Sequence, residues 1–494
     1  MRLIKRLEKS SDFWFLVSFN ILFFFLRLPS LFEPYWYGDE GIYQAIGLAL
    51  RNGEVLYKDI WDNKTPAIYY LYGLLGSDQF LTKLASLIFG IIGIIFFFLL
   101  AKKMLIKVRS YRISTLIFSV LFGLPLIEGN IANAENFMIP LIIMSAYLVY
   151  KSTQEKRGNK TKQLALAGLI LGLSFLFKIV SIFDFAAFCS FLLIYDFPEK
   201  INIDNILKQI KIKLSQLFIF GISFLFPFFL TVVYFSINHI LKLYLSSIFL
   251  SNVGYVGYGN NFIIPQGLLI LKLILLSIAL ILIFIKRKAI KFDSALFVLV
   301  WLSFSFFNVF FSQRGYPHYV LVLIPAFCLL FGSIFIYNKF SKGMVLIFIG
   351  SFLVILHFFS FYWKSIDYYK NFLAFVLDHK SVNSYQSFFD GNTPRDYEIS
   401  MFIKSEINEN DKIFIWGNNA QVYKLTDKVP PAKYTVAYHI TQYPDGLSST
   451  KDALRKTNPK IIVIMPNVSP YPFSLYNYQI AINIGGALIY ERDN

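Results

Sequence analysis

Asp39 and Glu40 stand side by side just beyond the first long apolar run, and Lys64-Thr65-Pro66 follows in the same polar stretch. A positioned carboxylate can take the proton of an attacking hydroxyl. A lysine beside the free backbone N–H groups of a helix start suits a phosphate, and Thr65 as cap with Pro66 at the first helical position predicts such a start. Two acids just outside the hydrocarbon, followed by that lysine, can handle a hydroxyl acceptor and a lipid-linked phosphate. Trp36 and Tyr37 beside the acids, and Trp61, Asp62, Asn63 and Tyr69 around the lysine, are candidates for holding a sugar or an acceptor. Trp and Tyr also populate any membrane interface.

Further polar residues recur where apolar runs end. Glu135 opens a run after Asn130 and Asn133, and Glu128 nearby is a weaker candidate. Arg314 and His318 flank a Gly-Tyr-Pro turn and suit an anionic head group. Lys178 and Asp184 interrupt apolar sequence; ionisable groups there default to function, or the two pair with each other. Each candidate also has a bland role. Asp39 can be a helix N-cap and Glu40 a first-turn acid facing the helix dipole. Lys64 can snorkel, and Glu135 and His318 can be interfacial caps.

The elements that must position these groups are mostly membrane spans. The chain has 494 residues, 56% hydrophobic, with 55 Phe and a mean hydropathy of +0.56. Repeated apolar runs near 20 residues match a hydrocarbon core of about 30 Å. We expect about eleven spans, near 13–31, 80–101, 113–127, 135–150, 163–177, 180–196, 214–236, 265–285, 293–311, 319–337 and 343–362, with Lys178 splitting 163–196 into two. The basic start MRLIKRLEKS precedes a retained first span, not a cleaved signal. If it is cytoplasmic, the inside segments hold 24 Lys/Arg and the outer loops 6, which orients the chain by the positive-inside rule. The net charge of +17 therefore belongs to the membrane part and not to a nucleic-acid surface, since residues 365–494 carry thirteen Lys/Arg and thirteen Asp/Glu. Cys189 and Cys328 both fall in apolar runs and argue against a disulfide framework.

The long first outer loop, 32–79, contains EGIYQAIGLALRNG, whose Ile42, Ala45, Ile46, Ala49 and Leu50 share a helical face that stops at Gly53. We expect this helix to lie in the membrane interface. Ile68, Tyr69, Leu71, Tyr72 and Leu75 either line a lipid groove or pack. From 364 to 494 the material changes. A connecting helix and loop lead to a helix at YEISMFIKSEI and short buried strands at KIFIWG, KIIVIMP and ALIYE, which predict a small extracytoplasmic α/β domain. The expected fold is a polytopic α-helical membrane domain, 1–363, with that C-terminal domain, 364–494.

On Asp39-Glu40, Asn63-Lys64-Thr65-Pro66, Glu135, Lys178 and Arg314–His318, in that order and all on one side, the chain resembles the GT-C superfamily of integral-membrane glycosyltransferases. It is most similar to the branch of protein O-mannosyltransferases and the bacterial aminoarabinose transferase of lipid A. FIWGNNAQVY, 414–423, resembles part of the small extracytoplasmic domain of bacterial members. The resemblance implies an inverting transfer from a polyprenyl-phosphate sugar to a glycan, lipid or protein acceptor, in the bacterial inner (cytoplasmic) membrane among its lipids. It implies Asp39 as base or acceptor-orienting carboxylate, and Glu40 and Glu135 shaping the acceptor site. Lys64, Arg314 and His318 would bind the donor phosphate. Some members use a divalent cation, Mg or Mn, for which Asp39 and Glu135 would be the ligands. The chain lacks the large luminal insertion of eukaryotic O-mannosyltransferases, so protein is not favoured as acceptor. Two other readings compete. An O-antigen ligase or polymerase is expected to rely on a later loop rich in Arg and His, whereas 237–264 has only Lys242 and His239. A lipid-linked sugar transporter or flippase would set ionisable groups at mid-membrane in broken helices.

Overall fold

The computed structural model describes residues 11–196, 203–253, 268–287, 290, 293–312, 314–334 and 341–493. The basic start, MRLIKRLEKS, lies outside them, as do parts of the expected spans at 265–285 and 319–337. The chain is a polytopic α-helical membrane protein with a small C-terminal α/β domain. The first part runs α1 (Ser11–Arg27), α2 (Gly38–Arg51), α3 (Ala67–Leu74), α4 (Gln79–Met104), α5 (Val108–Gly123), α6 (Ala134–Ser152), α7 (Arg157–Phe177), α8 (Ile182–Ile194) and α9 (Ile203–Ile237). It continues with α10 (Leu241–Leu245), α11 (Leu269–Lys286), α12 (Asp293–Phe311), α13 (Ile324–Ile334) and α14 (Ser341–Phe358).

Seven helical stretches among the described residues are long and apolar enough to cross a membrane: Ser11–Phe32, Gln79–Met104, Gly158–Phe177, Gln209–Ile237, Leu269–Lys286, Asp293–Phe311 and Pro317–Ile334. The other four expected spans fall on α5, α6, Ile179–Ile194 and Val345–Phe358, which are shorter or begin with charged and amide residues. Eleven is thus more than length and apolarity alone mark out. The break at Lys178 is real: α7 ends there in extended backbone, and a 3-10 turn, Ile179–Ser181, leads into α8.

Small residues bring the spans together. Gly168 and Gly172, one turn apart on α7, face the Phe220 and Phe224 carbonyls of α9; a Cβ on either would lie 2.3 Å from those oxygens. Such spacing lets backbones approach where apolar burial supplies no net drive between helices in lipid. Asp78 caps α4 by accepting from the Leu81 N–H at 2.8 Å, and Asn133 caps α6.

Helix α2 departs from its expected interfacial placement. Its residues from Glu40 to Ala49 are all buried, so protein encloses it on every side. The enclosing wall includes the C-terminal domain, which runs α15 (Ser365–Val376), α16 (Val382–Ser387), α17 (Thr393–Glu406), β1 (Ile413–Trp416), α18 (Gln421–Thr426), α19 (Ala437–Gln442), α20 (Gly446–Thr457), β2 (Ile461–Ile464), β3 (Tyr478–Ile484) and β4 (Ala487–Arg492). The sheet order is β1-β2-β4-β3. β1 and β2 are parallel, with Ile413 opposite Ile461, and the other pairs are antiparallel. β3 was not expected; its middle residues are exposed on the sheet edge, so it lacks the buried apolar run that marks the other strands. The Gly485-Gly486 turn, with φ of 54° and 84°, joins it to β4.

The C-terminal domain grips the loop of residues 32–79. Gly41 on α2 meets the backbone of Gln421, where a Cβ would lie 2.9 Å from the Gln421 nitrogen. Trp61 forms a bridge with Tyr434, its N–H donating to the Lys433 carbonyl at 2.9 Å. The Tyr397 hydroxyl accepts from the Tyr35 N–H at 3.0 Å.

Candidate functional site

Asp39 lies in the first turn of α2, whose N-cap is Tyr37, so Asp39 is not the cap. Its side chain is 32% exposed and lies 3.5 Å from Lys64 Nζ, itself 18% exposed. Lys64 Nζ also lies 3.6 Å from Asp62 Oδ2 and 5.0 Å from the centre of the Tyr43 ring. Thr65 does not cap α3: Pro66 stands at the cap position with no side-chain bond, and the Thr65 hydroxyl is buried without a hydrogen-bond partner among the described residues. What aims Lys64 is its two carboxylates and the Tyr57 hydroxyl, which donates to its carbonyl at 2.8 Å.

A second half of the cluster comes from the later loops. Glu135 accepts a hydrogen bond from Lys178, whose ammonium lies 4.7 Å from the Tyr319 ring. His318 Nδ1 lies 2.6 Å from Glu128 Oε2, and its Nε2 lies 3.9 Å from Glu135 Oε1. Tyr37 donates to Glu128 at 2.7 Å. Glu128 has φ 60°, a left-handed conformation that costs a non-glycine residue of order 1 kcal/mol and that tends to collect at functional sites. The halves meet at Asp39. Burial raises its pKa, but Lys64, His318 and Lys178 outweigh it and hold the carboxyl below the usual carboxylate range. Tyr43 ties the two sides, its hydroxyl 3.4 Å from Asp39 and donating to Asn133 at 2.8 Å.

Several polar atoms around this centre are buried with no hydrogen-bond partner among the described residues: Asn133 Nδ2, Glu135 Oε2, Thr65 Oγ1 and His439 Nδ1. Leaving such a group unpaired costs about 1–3 kcal/mol, so their gathering near one half-open carboxylate marks a place built for a polar ligand. No group of three or more His, Cys, Asp or Glu side chains among the described residues is placed to hold a metal ion. Asp39 and Glu135 are engaged by Lys64 and Lys178.

Other expected residues have different duties. Glu40, expected to help shape the acceptor site, faces away from Asp39. It is buried on the other side of α2, where Oε1 lies 2.8 Å from Lys83 and accepts from the Ala132 N–H at 2.6 Å. Burial pushes its pKa up against the pull of Lys83. Successive helical residues point about 100° apart, so neighbours in sequence need not share a site. Trp61 and Tyr69 are buried supports: Trp61 donates to Ser247 at 2.8 Å, and Tyr69 donates to Asp62 at 2.6 Å. Trp36 donates to Glu33 at 3.0 Å and packs on Phe389. The Asn63 carbonyl accepts from Asn252 at 2.8 Å. Arg314 is half-buried four residues before His318. Lys178 and Asp184 do not pair with each other; Asp184 accepts from Trp301 at 2.8 Å within the helix bundle. Ile68, Tyr69 and Tyr72 are packed, the Tyr72 hydroxyl donating to the Ala132 carbonyl.

His439 of α19 was not foreseen. Its Nε2 lies 3.8 Å from Asp62 Oδ1, placing a side chain of the C-terminal domain against the first loop. Nothing local marks it; TVAYHITQY reads as an ordinary short helix.

Residues 66–227 match the family described as dolichyl-phosphate-mannose-protein mannosyltransferase. No curated protein matches by sequence. Among solved structures, ArnT from Cupriavidus metallidurans bound to undecaprenyl phosphate superposes with a TM-score of 0.58 at 14% identity, over 97% of this chain and 98% of that one. The same protein in the apo state gives a TM-score of 0.57 at 14% identity over the same shares. The fold is thus similar to that of ArnT, and residues 66–227 are similar to the dolichyl-phosphate-mannose-protein mannosyltransferase family.

Proposed function

We propose that the protein is a glycosyltransferase that moves a sugar from a polyprenyl-phosphate donor to a hydroxyl or phosphate acceptor on the outer face of the inner membrane, with inversion. The observation that carries this is the half-open Asp39 carboxylate held 3.5 Å from Lys64. Lys64 is positioned to take the donor phosphate, whose negative charge grows as the bond to the sugar breaks. The acceptor oxygen attacks the anomeric carbon from the opposite face; the carbon–oxygen bond to the phosphate breaks, and the acceptor proton passes to Asp39. The ion pair gives this step its timing. With Lys64 beside it Asp39 is a weak base, and a phosphate that draws the ammonium away restores its basicity. His318 and Lys178 keep the carboxyl ionised until then. The fold shared with ArnT, which binds undecaprenyl phosphate, supports the donor class.

The test uses the purified full chain in proteoliposomes with labelled undecaprenyl-phosphate sugars and envelope lipid or glycan acceptors. Release of free undecaprenyl phosphate with label on the acceptor is expected, and Lys64→Ala should weaken donor binding. Movement of intact labelled lipid across the bilayer without cleavage would replace this reading with transport.

A further inference from the structure

Segment 433–443 of the C-terminal domain is seated against the strip that carries Asp62 and Lys64. The Trp61 bridge to Tyr434 fixes its register, and Trp61 packs edge-on against His439, with ring centres 5.3 Å apart. His439 is 4% exposed, yet its Nδ1 has no hydrogen-bond partner among the described residues. Its Nε2 faces the Asp62 carboxylate at 3.8 Å. Burial pushes its pKa down to about 4, so at neutral pH the ring carries one proton. The carboxylate favours that proton on Nε2, which leaves the Nδ1 lone pair as an acceptor. Tyr438, 38% exposed, stands against the imidazole with ring centres 4.3 Å apart and offers an aromatic face beside it.

Resting on the transferase reading above, we propose that His439 is a sugar-binding residue of this site, its Nδ1 accepting a hydrogen bond from a hydroxyl of the donor sugar. The chemistry is local. A sugar is one bond from the phosphate that Lys64 takes, and Asp62 touches both Lys64 and the imidazole. A lone-pair acceptor next to an aromatic face suits a hydroxyl on a ring carbon better than a second anion. The C-terminal domain thereby selects the sugar, while the membrane domain holds the phosphate.

The experiment compares, for the full-length protein in nanodiscs, the affinity for bare undecaprenyl phosphate with that for undecaprenyl phosphate carrying each of a panel of hexoses and pentoses. The wild type should prefer at least one loaded lipid. His439→Ala should lower that preference roughly three- to tenfold, the worth of one hydrogen bond, with bare-lipid affinity unchanged. His439→Asn, whose side-chain oxygen can stand near the Nδ1 position, should keep most of it. An unchanged preference in His439→Ala, an equal loss for bare and loaded lipids, or a wild type indifferent to every sugar overturns the assignment while leaving the donor phosphate in place. A wild type that binds none of these lipids overturns the transferase reading and this one together.

Discussion

Two charge clusters lie back to back on α2, and adjacent residues belong to different ones. On the Glu40 side the network is sealed. Lys83, fully buried, gives its three protons to Glu33 at 3.0 Å, Glu40 at 2.8 Å and the Asn130 carbonyl at 3.2 Å. Both Glu33 oxygens are occupied, by Asn130 and Tyr368 at 2.6 Å and by Trp36 and Lys83 at 3.0 Å. Arg27 joins through Ser86 and the Asn130 carbonyl. On the Asp39 side the cluster is partly open, Asp39 being 32% and Lys64 18% exposed. The sealed cluster ties α1, α2, α4 and α15 into one body. A carboxylate is useful for chemistry only where its partners can be exchanged, and Asp39 is on that side.

The largest effect expected from breaking this contrast is on turnover. Asp39→Asn should lower transfer by about 10²–10⁴-fold with an unchanged melting temperature. Glu40→Gln should do the reverse, keeping turnover in the folded fraction while losing about 1–3 kcal/mol of stability. Turnover assays and thermal melts of the two purified variants decide it; equal turnover losses would merge the clusters into one site.

Next in size is Lys83→Met. It leaves Glu33 and Glu40 buried without their shared cation, a change that costs about 3–5 kcal/mol. A large fall in melting temperature is expected, against a smaller one for Lys64→Met, since Asp39 is 32% exposed and buried Asp62 keeps the Tyr69 hydroxyl. Similar melting temperatures for the two would mean that the Lys83 network is not sealed.

The smallest effect sharpens the electrostatics of the open cluster. Asp39 has a lowered pKa, so it is ionised above that value and activity falls only as the pH drops through it. His318→Gln removes one of the groups that lower it, so the acid limb of the pH–rate profile should move to higher pH. A limb that stays in place would show that His318 does not act on Asp39.

Much of this was legible because it is local. Apolar runs announce spans, and KIFIWG, KIIVIMP and ALIYE announce strands by their β-branched composition between turn residues. Lys178 broke its pair of spans as expected, since a charged residue resists burial in an apolar run. The inner wall of the site was not legible. Trp61 and Tyr69 look like stacking faces in sequence but are consumed in packing. Glu128 looked weak because its role depends on Tyr37 and His318, which sequence does not place beside it.

Sequence alone sufficed for a polytopic membrane chain, a polar stretch with Asp39 and Lys64 in one loop, and an α/β tail. These follow from composition, periodicity and short spacing. Only the tertiary structure decided which of two neighbouring acids faces the site, which cation each carboxylate keeps, and that His439 joins from the tail. The physical reason is that such choices rest on pairings such as Tyr368 with Glu33, 335 residues apart, which leave no periodic trace in the chain and become energetically decisive only once burial removes water from both partners.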